Sequence, residues 1–133
     1  MDIRVTQKQD WLLLKQIRLA ALQDTPTAFG VSYETAAADS DAQWQVRAAG
    51  ERTWFWLAFD DDRPVGLVGA GFRDPARYEL IAMWVKPAAR GAGVADALVA
   101  AVKARAVELG LEALYLEVAP ENTRAVQFYQ RHG

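Results

Sequence analysis

Cysteine is missing from this 133-residue chain, and histidine occurs once, as His132. The first absence excludes disulfides, thiol nucleophiles and thiolate metal sites, and it fits a reducing compartment. The second leaves no imidazole pair for a metal ion, so no metal is expected. Long apolar runs are also wanting. Nothing approaches the roughly 20 residues of a membrane span, and Met1-Asp2-Ile3-Arg4 leads into no signal-peptide core. A cytoplasmic protein that engages no membrane is the expectation. Charge of one sign is scarce in net terms, with 15 Lys and Arg against 17 Asp and Glu, which argues against nucleic-acid binding. Basic residues do gather late in the chain, at Lys86, Arg90, Lys103, Arg105, Arg124 and Arg131, where they offer a local field to an anionic ligand. The length suits one domain, 1–133, with a single core.

Ile3-Arg4-Val5 alternates as a short strand. Gln9 or Asp10 opens a helix in which Trp11, Leu14, Ile17 and Ala21 recur at helical spacing with Leu22 beside them, and Asp24-Thr25-Pro26 ends it. An irregular link is expected over Ala28 to Tyr33. A second helix is expected from about Ser40 through Trp44 to Ala48, with Gly50 as its stop. Thr53 to Phe59 reads as a strand, Asp60-Asp61-Asp62-Arg63 as a solvated turn, and Pro64 to Phe72 as the return strand of a hairpin. After the turn Arg73-Asp74-Pro75-Ala76, Tyr78 to Val85 is a third strand, apolar enough to be central.

The helix from Gly93 to Leu109 carries Val94, Ala97, Leu98, Ala101, Val102 and Leu109 along one side, and Gly110 stops it. Ala113 to Val118 must then run parallel to its predecessor, because a helical crossover joins them. Asn122 to Arg131 closes the chain as an amphipathic helix. The predicted order is β-α-α-β-β-β-α-β-α, an α/β (α+β) fold with a mixed central sheet. Sheets of this kind usually gain a strand after such a helix, so one is expected beyond Gly133 or from elsewhere.

The segment Met83-Trp84-Val85-Lys86-Pro87-Ala88-Ala89-Arg90-Gly91-Ala92-Gly93-Val94-Ala95-Asp96 is the most informative. An apolar strand runs through a proline turn into a glycine-rich loop that opens a long helix. The first N–H groups of a helix lack internal partners, and the summed peptide dipoles place partial positive charge there, so a phosphate docks readily. A glycine in a strand-to-helix link is also ordinary, so the loop alone does not decide. Asp96 counts against a dinucleotide-binding reading, because it stands where Gly-x-Gly-x-x-Gly needs its third glycine. A P-loop is excluded because no Gly-Lys-Ser/Thr occurs.

Arg90-x-x-Gly93-x-Ala95 resembles the acetyl-CoA loop of the GNAT superfamily of N-acetyltransferases, Gln/Arg-x-x-Gly-x-Gly/Ala. Further on, Asn122-x-x-Ala125-x-x-Phe128-Tyr129-x-x-x-Gly133 is similar to that family's last conserved-pattern helix, and Arg18-Leu19-Ala20-Ala21-Leu22 with Pro26-x-Ala28-Phe29-Gly30 looks like a common bacterial subgroup. The resemblance implies a GNAT-like fold, acetyl-CoA as co-substrate and a transferase activity. It implies that backbone N–H groups of Arg90, Gly91, Ala92, Gly93, Val94 and Ala95 hold the pyrophosphate. The pantetheine arm would bond to the backbone of Met83, Trp84 and Val85 between two splayed strands, as in strand addition, with Asn122 holding the arm or capping the last helix. On that account Trp84 is replaceable by another large group.

Acetyl transfer needs a neutral amine, a donor to the thioester oxygen and an acid for the departing thiolate. The resemblance places Tyr129 near the sulfur as that acid, against a packing tyrosine. The amide of Met83 or Trp84 is a donor to the carbonyl oxygen. Glu79 on the third strand of the meander is a base through water or, equally, a salt-bridged glutamate. Tyr33, Glu34, Trp44, Trp54 and Trp56 are candidate walls of the acceptor site or plain core. The acceptor is an amine on a small molecule or a protein N terminus, and a homodimer is allowed. Two other readings stand beside this one: a noncatalytic acyl-CoA-binding or sensing module of the same fold, and a nucleotide-dependent oxidoreductase.

Overall fold

The computed structural model describes residues 2–24, 33–50, 53–74, 77–111 and 114–115. Its elements are β1 (Asp2–Val5), α1 (Trp11–Asp24), α2 (Tyr33–Ala37), α3 (Asp41–Ala48), β2 (Thr53–Asp60), β3 (Arg63–Asp74), β4 (Arg77–Val85) and α4 (Val94–Glu108), with 3-10 turns at Lys8–Asp10 and Pro87–Ala89. The strands form one antiparallel sheet in the order β1-β2-β3-β4. Past β4, Tyr115 pairs with Glu79 in the parallel sense. Leu80 N–H donates to Tyr115 O at 2.8 Å and Tyr115 N–H to Tyr78 O at 2.9 Å. The sheet is therefore mixed, as the helical crossover requires, and β4 has a neighbour on each side there.

Helices α1 and α3 cover one face and α4 the other. β2, TWFWLAFD, is buried on both faces, which is why it reads as a continuous apolar run. Phe55, Leu57 and Phe59 pack with Leu14, Ile17, Leu22 and Trp44, while Trp56 and Ala58 pack with Leu98, Val99 and Val102. In α1 the buried residues are Leu14, Ile17, Ala21 and Leu22, the stripe its periodicity predicts except for Trp11, which is half-buried against that cluster. In α4 they are Val94, Leu98, Val99, Val102 and Ala106. Leu109 is 41% exposed, contrary to its place in the predicted stripe, because it sits at the C-cap beyond the last packed turn.

Local signals fix the helix ends. Ser40 accepts from Gln43 N–H at 3.2 Å while the Gln43 side chain accepts from Ser40 N–H at 2.7 Å, a reciprocal capping box. After α4, Gly110 N–H donates to Val107 O and Leu111 N–H to Ala106 O, both at 3.0 Å, the paired closure of a Schellman motif. One element departs from expectation. Tyr33, placed in an irregular link, begins α2, a helix of only five residues with too few periodic apolar positions to announce itself. The predicted helix over 122–131, most of the strand over 113–118 and the Pro26 to Gly30 motif lie outside the described residues.

Candidate functional site

β4 is not a regular strand. Leu67 pairs with Trp84 and Gly69 with Ile81, so Val68 stands opposite both Ala82 and Met83. This is a β-bulge, and Ala82 takes φ of 58° to make it, a conformation that costs a non-glycine residue energy. The bulge reverses the strand's phase. Leu80 turns its N–H away from β3, toward Tyr115. Beyond the bulge Lys86 N–H donates to Val65 O at 2.8 Å, so by alternation Trp84 faces β3 and Val85 faces the opposite edge. Val85 O accepts there from Arg90 Nε at 3.0 Å.

The chain then enters the glycine loop. Ala89 N–H donates to Lys86 O and Arg90 N–H to Pro87 O, tightening the turn after Pro87. Gly91 and Gly93 have φ of 85° and 82°, and a Cβ at either would meet nothing within 4 Å. Gly93 is the N-cap of α4. The first intrahelical bond is Ala97 N–H to Gly93 O, so the N–H groups of Val94 and Ala95 precede the ladder. Among the described residues, those of Gly91, Gly93, Val94 and Ala95 find no hydrogen-bond acceptor. Gly91, Ala92 and Gly93 are exposed. The start of α4 is pinned to the sheet where Gly66 offers no side chain. A Cβ there would stand 3.0 Å from Val94 Cγ1, 3.2 Å from Leu98 Cδ1 and 3.2 Å from Trp84 O. Chemically, the loop is an open row of donors with a helix dipole behind it.

Arg90 plays a part its motif position does not reveal. Its Nη2 meets Asp24 Oδ2 at 2.9 Å, and Trp84 Nε1 donates to the same oxygen at 3.0 Å. Its own N–H is committed to Pro87 O. The last residue of α1 thus ties down the end of β4 and the loop together. Asp24 is held below the usual aspartate range, first by the Trp84 N–H, against burial that acts in the opposite sense, and then by Arg90. Trp84 is accordingly not an interchangeable large group, because its indole N–H has a specific acceptor. The sequence shows Asp24 only as a helix terminator, and no local pattern links it to positions 84 and 90.

On the opposite face from α4 lies a cleft of about 640 Å³, walled by Leu14 and Arg18 of α1, Asp39, Trp44 and Arg47 around α3, and Phe55 and Ile81 of the sheet. Ile81 directly precedes the bulge, so the cleft floor runs to it. Arg47 Nη2 meets Asp39 Oδ2 at 2.6 Å, and its guanidinium carbon lies 4.6 Å from the Trp44 ring centroid. Burial, and then the neighbouring Arg47, depress Arg18 to about 10, still charged at neutral pH.

The candidate residues divide as follows. Met83 and Val85 pack with the α4 cluster, Trp84 with the α1 cluster. Glu79 is 9% exposed, and its Oε2 receives Arg77 Nε at 3.1 Å, so it is a salt-bridged glutamate in this structure. Trp44 lines the cleft, whereas Trp54 and Trp56 lie on the α4 side. Tyr129 and Asn122 fall outside the described residues. Among the described residues no group of His, Asp and Glu could hold a metal, and no helix is long and apolar enough to cross a membrane.

Comparisons with known proteins meet this geometry. Structures with the same fold include AAC(6')-Iy in complex with the bisubstrate analogue CoA-S-monomethyl-acetylneamine (TM-score 0.78, 23% identity, 99% of this chain and 88% of that one). An aminoglycoside acetyltransferase from an uncultured soil metagenomic sample gives TM-score 0.77 at 20% identity, over 99% of this chain and 90% of that one. A predicted acetyltransferase with acetyl-CoA from Clostridium acetobutylicum gives 0.72 at 18% identity, over 96% and 87%. No curated protein sequence matches the chain. The family model described as the acetyltransferase (GNAT) family matches residues 17–133, most of the chain and all of the loop and strand just described. The chain belongs to the GNAT acetyltransferase family.

Proposed function

We propose that the protein transfers an acetyl group from acetyl-CoA to a primary amine by direct attack in a ternary complex. The observation that carries this reading is the row of N–H groups at Gly91, Gly93, Val94 and Ala95 that find no acceptor among the described residues, lying beyond a bulged β4. Glycines at 91 and 93 leave the approach open, and the donors and dipole suit a pyrophosphate. Ala92 lies between them and Arg90 anchors the loop from behind. The pantetheine arm lies along Met83, Trp84 and Val85, with the Val85 N–H turned toward it, and Asn122 holds its far side. An amide at the bulge, where Met83 sits, supports the thioester oxygen as it gains charge. Tyr129 protonates the departing thiolate. Glu79 is the base through water, once freed from Arg77.

The acceptor is a small-molecule amine or a protein N terminus. The aminoglycoside acetyltransferases among the fold's neighbours make aminoglycosides worth including among trial acceptors. The ion pair between Glu79 and Arg77 favours a second reading, a noncatalytic acyl-CoA-binding module. Thiol release from acetyl-CoA with an amine panel separates the two. In the enzyme reading Tyr129→Phe lowers turnover by roughly 10- to 10,000-fold with little change in acetyl-CoA affinity. Glu79→Gln shifts the pH for half-maximal turnover upward. No thiol release with any amine, alongside tight CoA binding, favours the module.

A further inference from the structure

Among the described residues, the charged side chains lining the cleft on the α1 and α3 face are Arg18, Arg47 and Asp39, and the Asp39 carboxylate meets Arg47 at 2.6 Å. The cleft-lining Gln43 spends its side-chain oxygen on Ser40 N–H, leaving its amide donors. Trp44, 2% exposed, has an indole N–H with no hydrogen-bond partner among the described residues. Two guanidinium groups therefore face one space, and the buried Trp44 N–H beside them demands an acceptor. Burial first, and then repulsion from Arg47, lowers the Arg18 value.

Resting on the acetyltransferase reading, we propose that this cleft receives the acceptor and that Arg18 and Arg47 select one carrying a carboxylate beside its reacting amine, such as an amino acid or short peptide. Arginine's planar fork suits a carboxylate. The floor at Ile81 leads to the bulge, so a carboxylate held by the arginines leaves the amine free to reach the acetyl group. In the transfer the amine nitrogen bonds to the acetyl carbon, the carbon–sulfur bond breaks, and the amine's proton ends on the departing sulfur. A polyamine, by contrast, would bring like charge to the two guanidiniums.

Calorimetric titration of glycylglycine, its C-terminal amide and spermidine tests this, with the protein alone and saturated with CoA. The dipeptide acid is expected to bind about 10-fold or more tightly than its amide, as a hydrogen-bonded charge pair supplies. The gap closes in Arg18→Met and partly survives in Arg18→Lys, whose thermal unfolding reports that the fold is kept. Equal affinities of acid and amide in the unsubstituted protein, no binding of either in both conditions, or tighter spermidine overturns the proposal. Thiol release with the wider amine panel judges the acetyltransferase reading separately, so an active enzyme indifferent to the carboxylate loses only the specificity claim.

Discussion

The start of α4 and the cleft under α1 and α3 are built in opposite ways. The first is a backbone site, made by consecutive residues from Val85 to Ala95, in which N–H direction and glycine φ set the chemistry. The second is a side-chain site, made by Arg18, Asp39, Trp44, Arg47, Phe55 and Ile81, drawn from four elements and the turn between α2 and α3. The bulge at Ala82 and Met83 lies between them, just after the cleft-lining Ile81 and just ahead of the backbone site. A backbone site tolerates side-chain change outside its glycines and close contacts, whereas a side-chain site changes its ligand with one substitution. On the proposed reading, that division would let one cofactor loop serve different acceptors.

The comparison is sharpened most by Gly66→Val. The new side chain meets Val94, Leu98 and Trp84 O at once, so overpacking costs ~1–3 kcal/mol. Chemical denaturation should show that loss, and CoA affinity should fall with it because the start of α4 is displaced. Wild-type stability would show that this contact is slack. Next comes Gly93→Ala. With φ at 82° and open space around a Cβ, the penalty is backbone strain of ~1–2 kcal/mol, not collision within the protein. CoA binding weakens while any ligand of the cleft binds as before. Equal loss at both sites would erase the distinction drawn here.

Much of the backbone region was legible because its instructions are contiguous. Two glycines ahead of an alanine-rich helix predict positive φ and a helix start, and both are found at 91 and 93. The hairpin, the helix caps at Ser40, Gly50 and Gly110, and the parallel crossover were legible for the same reason. The bulge was not, since Ala82 and Met83 carry no residue type that announces positive φ. Nor was the tie from Asp24 to Trp84 and Arg90, which joins positions 60 and 66 residues apart. Arg18 was visible only as part of a family-like motif, and its meeting with Arg47 depends on how α1 and α3 pack. Side-chain convergence is a property of the tertiary fold, and no window of sequence contains it.

The smallest expected effect lies in that long-range tie. Asp24 has a folded pKa below its unfolded value near 3.9, so its contribution to stability is fully present above that value. It is lost as pH falls through the folded value. The stability gap between wild type and Asp24→Asn should therefore hold from neutral pH to about pH 5 and close in stronger acid. Because Asp24 is exposed, the gap is small and shrinks with salt. A gap that widens on acidification reverses the assigned sign.

The central claim is that the open N–H row at the start of α4 recognises a pyrophosphate. Calorimetric titration of CoA against pantetheine, which lacks that group, tests it in the wild type and in Gly93→Val. Two or more charge-assisted hydrogen bonds predict CoA binding about 100-fold or more tightly than pantetheine in the wild type. In Gly93→Val that gap should fall below about 10-fold. Indistinguishable affinities of CoA and pantetheine for the wild-type protein would contradict the account.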